Sequence, residues 1–311
     1  MVRELGLAVS AHPHDKRWLS AASGLVCMGD KAYVIADDEH HLAHFNLKDT
    51  AAPVSLLQLF EGTLPRDKGK RKKTKPDLES LVLLPALELY PHGALLALGS
   101  GSKPNRCRAT LLALDKAGDV NGPALHLDLS VLYAPLQILF GDVNIEGAFI
   151  AEGQLHLLQR GNKGSRTNAR VSYDWIAFAA WLLGASTQVP VAIRVQRLAL
   201  GEVDGVPLGL TDAAALAEGT WIFCAVAEDA RNSYADGACV ASVVGIVDNK
   251  GRINNMLRLQ GNPKVEGIAV APGCDVRGAE LRLLLVTDAD DPGVASQLLQ
   301  TTVQQAPLSQ N

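Results

Sequence analysis

Glu146-Gly147-Ala148-Phe149, a short turn, and then Leu155-His156-Leu157-Leu158-Gln159-Arg160 make up a unit that this chain repeats. An acidic or hydroxyl residue, usually followed by Gly or another small residue, opens an apolar stretch. After a turn, a second apolar run ends in polar, Gly-rich or acidic residues. The other copies open at Ser23-Gly24-Leu25-Val26, Glu79-Ser80-Leu81-Val82, Asp212-Ala213-Ala214-Ala215 and Glu266-Gly267-Ile268-Ala269. Their second runs are residues 32–37, 94–99, 221–225 and 281–286. The opening residues lie 56, 67, 66 and 54 positions apart, longer than a helical repeat and enough for four strands with loops. Blocks of about five to eight residues bounded by Gly, Pro, Asn and Asp read as strands. Third and fourth strands are expected at 41–47 with 54–60, 108–115 with 124–129, and 238–247 with 253–259. The fifth copy has 295–302 and then runs out of chain, and residues 2–10 supply its missing strand. That closure removes the open edges an all-β array must otherwise protect. The expectation is an all-β, single-domain chain over residues 1–311, a five-bladed β-propeller of four-stranded blades closed by the N-terminal strand. Six blades, with 170–208 as an irregular extra one, is the alternative.

Composition supports a folded globular chain. Of 311 residues 48% are apolar and 20% charged, with a formal net charge of −4. This excludes a disordered chain and a wholesale polyanion binder, so no nucleic-acid partner is expected. Cys27, Cys107, Cys224, Cys239 and Cys274 are too scattered for a disulfide scaffold or a zinc cassette. The start, Met-Val-Arg-Glu-Leu, lacks a signal-peptide pattern, and the nine-residue apolar run 175–183 is too short for a bilayer. A cytoplasmic protein with no membrane partner is expected. RDKGKRKKTK at 66–75, with seven basic residues and one acidic, reads as a solvated loop. YDWIAFAAWLL at 173–183 reads as a strand or a short helix.

In a propeller the first strand of each blade lines the central channel, so equivalent residues near its start form a ring. By alignment the ring is Ser23, Glu79, Glu146, Asp212 and Glu266, with Thr211 competing for the fourth place. Four carboxylates across a narrow channel cannot all stay charged and unpaired. Protonation, basic partners or a cation must relieve them. An all-oxygen ligand set suits Ca²⁺ first and Mg²⁺ second. The competing reading is that each acid accepts backbone N–H bonds at a tight turn.

Polar loops share the end where these strands begin. GSGSKPNR contains Arg106, and QRGNKGSRTNAR contains Arg160 and Lys163. These three are the expected contacts to an anionic small-molecule substrate. Glu228 in AEDARNSYADG and Asp288 in TDADDP are the expected acids that orient water. The rival is a non-catalytic propeller that binds a ligand or protein partner over a structural cation. There is no G-x-S-x-G elbow, and GSGSKPN lacks phosphate-loop spacing. His12 with His14, or His40 with His41 and His44, read as surface histidines, though such spacings can bind a transition metal. Cys224 and Cys239 read as inert thiols facing each other across a strand pair.

The first unit, Ser23-Gly24-Leu25-Val26 with Lys31-Ala32-Tyr33-Val34-Ile35-Ala36-Asp37-Asp38, resembles the first blade of the calcium-activated nucleotidases (apyrases). Lys264-Val265-Glu266-Gly267-Ile268-Ala269 is similar to a Lys-x-Glu-Gly-hydrophobic signature of apyrases and of the esterase-like phytase and SdiA-regulated propeller groups. Uncharacterised bacterial propellers with TDADDP-like endings are similar as well. The resemblance implies five blades with a calcium on the axis, held by a ring that alternates Ser, Glu, Glu, Ser, Glu. The matching positions here are Ser23, Glu79, Glu146, Asp212 and Glu266, the fourth departing from the pattern. The resemblance covers the repeat skeleton and leaves out the loops.

Overall fold

Each of the five copies folds into an antiparallel sheet whose strands run outward from the channel in chain order. The computed structural model describes residues 1–161, 167–229 and 238–305. Blade I is Ala22–Met28, Lys31–Ala36, His41–Asn46 and Ser55–Gln58. Blade II is Leu78–Leu84, Ala94–Gly99, Arg108–Ala113 and Leu125–Asp128. Blade III is Ile145–Ala151, Gln154–Gln159, Asn168–Asp174 and Arg194–Leu198. Blade IV is Val206–Ala215, Trp221–Asp229, Ala238–Val247 and Ile253–Arg258, with the short strand Glu202–Val203 paired to the start of its first. Blade V is Val265–Val270, Glu280–Thr287 and Gln297–Gln304, completed by Arg3–Glu4. The protein is a five-bladed β-propeller.

Both faces of each blade are covered by neighbours, which explains why the inner runs are continuously apolar rather than alternating. Along Lys31–Ala36, Ala32, Val34 and Ala36 pack toward blade V while Tyr33 and Ile35 pack toward blade II. Outer strands lose that cover. Ile253–Arg258 has no buried residue, and it is built of polar and flexible side chains.

Three segments depart from the sequence reading. Residues 170–208 form no sixth blade; up to Leu198 they complete blade III, with a helix Trp175–Leu182 between its outer strands, and from Glu202 they open blade IV. Asp174 starts that helix by accepting a bond from the Ala177 amide at 2.9 Å, and Phe178 and Leu182 anchor it. The basic run is not a loop throughout. Lys68–Thr74 is a helix capped by Asp67, whose Oδ1 accepts from the Lys70 amide at 2.8 Å, and Lys75 turns into the interior. A third helix, Ser130–Phe140, was not expected from the sequence; it packs Leu132, Tyr133, Leu136 and Phe140 against blades II and III. None of the helices among the described residues is long and apolar enough to cross a membrane.

The N-terminal closure is shorter than residues 2–10. Arg3 and Glu4 pair with Leu298 and Gln297, flanked by Val2 N–H to Leu298 O at 2.8 Å and Leu5 N–H to Ser296 O at 2.9 Å. The segment then leaves blade V. Gly6 bridges to Trp18 and Leu7 pairs in parallel with Val54, so the same segment stitches blade V to blade I.

Every inner strand is bulged at one level. The register breaks between Ala22 and Gly24, Leu78 and Ser80, Ile145 and Gly147, Leu210 and Asp212, and Val265 and Gly267. The bulged residues are therefore Ser23, Glu79, Glu146, Thr211 and Glu266. A bulge re-aims one side chain and bends the strand. The next residue lies in the seam between blades, where space is short. A Cβ on Gly24 would sit 2.9 Å from Leu81 N, and on Gly147 2.8 Å from Asp212 Cα. On Gly267 it would sit 2.7 Å from Val286 Cγ2 and 3.1 Å from Leu25 N. Gly267→Ala should thus wedge blades V and I apart and cost about 1–3 kcal/mol, read as a shifted denaturation midpoint at constant slope. An unchanged midpoint would mean the seam has slack that the structure does not show.

Candidate functional site

The bulges bring Glu79, Glu146 and Glu266 together at one end of the channel. Burial raises Glu79 well above the usual carboxylate range, and the charges of Glu146, Asp77 and Asp37 add to this. Glu146 is pushed up to about 7, chiefly by burial; Arg160 opposes the shift, and Glu266 and Asp77 support it. Ser23 occupies the blade I position, its hydroxyl donating to Ala21 O at 3.1 Å.

In blade IV the alignment slips by one residue. Thr211 holds the ring position and donates to Val265 O at 2.9 Å. Asp212 sits in the seam, at the level of Gly24, Gly147 and Gly267. Its Oδ2 accepts from the Ile268 amide at 3.0 Å, tying blade IV to blade V, and burial holds its pKa well above the usual range. The ring by geometry is Ser23, Glu79, Glu146, Thr211 and Glu266.

A second level lies just above, formed by the residue two positions before each bulged one and its cross-strand partner. Backbone bonds define it: Asp37 to Ala21, Ser100 to Asp77, Arg160 to Asn144, and Asp288 to Lys264. In blade IV the same level holds Gly209 and Val226. Gly209 is needed there, because a Cβ would lie 2.9 Å from Arg160 Nε. Arg160 lies across that gap. It reaches Glu228 at 2.8 Å, Glu146 at 3.4 Å and Glu266 at 3.6 Å. The strands of blade IV run on beyond this level, which is how Glu228 arrives over the channel.

The remaining bases are also committed to acids. Lys264 is 2.6 Å from Asp290, 3.3 Å from Glu266, 3.7 Å from Asp288 and 3.9 Å from Glu228. Lys75 bonds Asp37 and lies 2.7 Å from Asp77 Oδ1. Arg106 is buried, and its Nη1 binds Asp77 Oδ2 at 2.7 Å while its Nη2 donates to Lys72 O at 3.0 Å. The expected substrate contact Arg106 is therefore spent on orienting Asp77. Lys163 lies outside the described residues.

Among the described residues, eight carboxylates (Asp37, Asp77, Glu79, Glu146, Glu228, Glu266, Asp288 and Asp290) meet four bases (Lys75, Arg106, Arg160 and Lys264). Burial pushes Asp288 up to about 8 against the pull of Lys264, and burial raises Asp37 against the pull of Lys75. At one place Asp37, Asp77 and Glu79 each bring a carboxylate oxygen within 4.8 Å of the others. An all-oxygen, anionic set of this kind fits a hard divalent cation.

Asp37, Asp77 and the bases Lys75 and Lys264 were not picked out as site residues from sequence. Asp77 had a weaker signal: it is an acid two positions before Glu79, just ahead of the strand Leu78–Leu84. The salt links of Lys75 had none, because it closes a run that looks solvated.

Solved structures similar to this chain are distant. A luciferin-regenerating enzyme is 11% identical, with a TM-score of 0.46 and 91% of each chain covered. A putative exo-β-1,3-galactanase from Bifidobacterium bifidum s17 is 9% identical, with a TM-score of 0.48 and 97% of this chain and 94% of that one covered. A putative phosphatase from Bacteroides thetaiotaomicron is 11% identical, with a TM-score of 0.45 and 97% and 76% covered. Likenesses this remote carry no inference about chemistry. No curated protein matches the chain. A family profile does match, over residues 18–303: the chain belongs to the family of unknown function DUF6929.

Proposed function

We propose that the channel mouth binds a Ca²⁺-type cation through Asp37, Asp77 and Glu79 and acts on anionic phosphoester-type substrates as a hydrolase. The observation that carries this reading is the meeting of three carboxylates at the mouth, Asp37, Asp77 and Glu79, each with an oxygen within 4.8 Å of the others. A bound hard cation would supply charge neutralisation and polarise a phosphoryl oxygen. Arg106 and Lys75 hold Asp77 in place from two sides. Arg160 and Lys264 stand over the ring and would meet the substrate's negative charge, exchanging part of their contact with Glu228 for it. Glu228, once released, or Asp288, would orient water. The nucleotidase and phytase resemblance is in keeping with this reading, with the ligand set moved toward blades I and II.

A non-catalytic propeller with an architectural cation is the second reading. It is favoured by the salt links of Arg160 and Lys264, which already engage Glu146, Glu228, Glu266 and Asp288. A substrate panel separates the two: nucleotides, sugar phosphates, phytate and aryl esters, each with Ca²⁺ or Mg²⁺. On the hydrolase reading, chelation lowers the melting temperature, Ca²⁺ restores it, and Glu79→Gln lowers turnover about a hundredfold while the chain stays folded. Metal retained with no turnover on any substrate would leave the binding reading; no metal effect at all would remove both.

A further inference from the structure

We propose that His12, Glu39 and His41 form a second metal site, separate from the channel carboxylates, for a borderline cation of the Zn²⁺ class. The loop that carries Asp37 at the channel mouth continues to Glu39, which meets two histidines. Glu39 Oε2 lies 2.9 Å from His12 Nε2 and 3.3 Å from His41 Nδ1. One donor atom from each of the three lies within 4.8 Å of the others, and the residues are only 5%, 3% and 7% exposed. Zinc bonds of about 2.0–2.2 Å at tetrahedral angles place neighbouring ligand atoms roughly 3.3–3.5 Å apart, close to the two separations that Glu39 already makes. The second oxygen of Glu39 is occupied by Lys16 Nζ at 2.5 Å, which leaves Oε2 as a single-oxygen ligand.

Two further observations point to an occupant. The three residues line a small cavity together with Asp38 and His40. Asp38 Oδ1 and His40 Nδ1 are both buried and have no hydrogen-bond partner. A fourth ligand, a metal-bound water, would offer Asp38 the proton it lacks. Two imidazoles and one carboxylate with an open fourth position suit zinc chemistry, whereas a channel-type set of oxygens alone suits calcium. Lys16 and Arg71 (3.5 Å from Asp38) are the nearby positive charges, and Glu39 and Asp38 are the acids that face them.

The protons balance within the rings. Without metal, the His14 amide donates to His12 Nδ1 at 3.1 Å, so Nε2 carries the ring proton and donates it to Glu39. Binding moves that proton from Nε2 to Nδ1, and His41 shifts its own from Nδ1 to Nε2. No proton leaves, but the His14 amide loses its acceptor.

Zn²⁺ and Co²⁺ titrations of the intact chain, with the metal count read after dialysis, test the site. One equivalent is expected, with a visible Co²⁺ band of tetrahedral type. It should survive excess Ca²⁺ and Glu79→Gln, and it should weaken about a hundredfold or more in His12→Ala, Glu39→Gln and His41→Ala. In the wild type, the His14 amide resonance should move as metal is added, which requires no variant to fold. Absence of stoichiometric metal, or binding that persists with the His14 amide unmoved, would overturn the site and leave a hydrogen-bonded cluster only.

Discussion

Arg160→Met should be among the most destabilising single substitutions in this chain, costing about 3–5 kcal/mol at neutral pH. The guanidinium is nearly buried and contacts Glu146, Glu228 and Glu266 from three blades, so its loss strands Glu146 and leaves Glu228 and Glu266 to Lys264 alone. Burial opposes its charge, yet the facing carboxylates hold it protonated well above the ordinary arginine range. The effect should depend on pH. Glu146 already has a folded-state pKa raised to about 7, and removing Arg160 takes away the main force holding it down. A carboxyl with a raised folded pKa stabilises when protonated, below its unfolded value, and loses that contribution as pH rises through the folded value. The penalty of Arg160→Met should accordingly be largest above pH 7 and shrink toward pH 5. Millimolar Ca²⁺ should recover part of it, since the stranded acids would then share a cation. Denaturant titrations at the two pH values, with and without Ca²⁺, check all three expectations. A penalty independent of pH would mean the guanidinium acts through packing alone.

The same residue shows what the sequence could and could not convey. Blade count was legible because the bulge repeats as an acid or hydroxyl before a small residue, and each half of that pattern has its own cause. The first half is re-aimed toward the channel; the second fits the seam where Gly24, Gly147 and Gly267 leave no room for a Cβ. Blade IV hid the one-residue slip because Thr211-Asp212 offers an oxygen at both places. An acid at the seam position is tolerated only because the Ile268 amide donates to it. Arg160 was visible as a basic residue after an apolar run, but its role depends on the gap at Gly209, some 50 residues away in sequence. Pairings across blades leave no local trace. The cluster of His12, Glu39 and His41 was missed for that reason: neither histidine pairing considered from spacing joins the two residues that meet.

Deleting residues 1–10 should be the other large effect, lowering stability by about 5 kcal/mol or more. Leu5 is fully buried among Leu19, Ala21, Val286 and Leu298, and losing a buried leucine costs about 2–5 kcal/mol. Arg3 spans the blade I side, lying 5.1 Å from the Phe45 ring centre and donating to Ala52 O at 2.5 Å. The backbone bonds to Leu298 and Ser296 add about 0.5–1.5 kcal/mol each. Their loss also bares the edge of Gln297–Gln304, which invites pairing with another chain. The shortened protein should therefore melt early and self-associate with concentration. A peptide of residues 1–10 added in trans should raise the melting temperature and suppress the association, because the edge and the Leu5 pocket remain to receive it. Leu5→Ala alone should fall between the two states. If the deletion leaves melting unchanged, the ring is closed by the inner seam, where Gly267 meets Gly24 and Leu25, and the outer strand is a cover rather than a clasp.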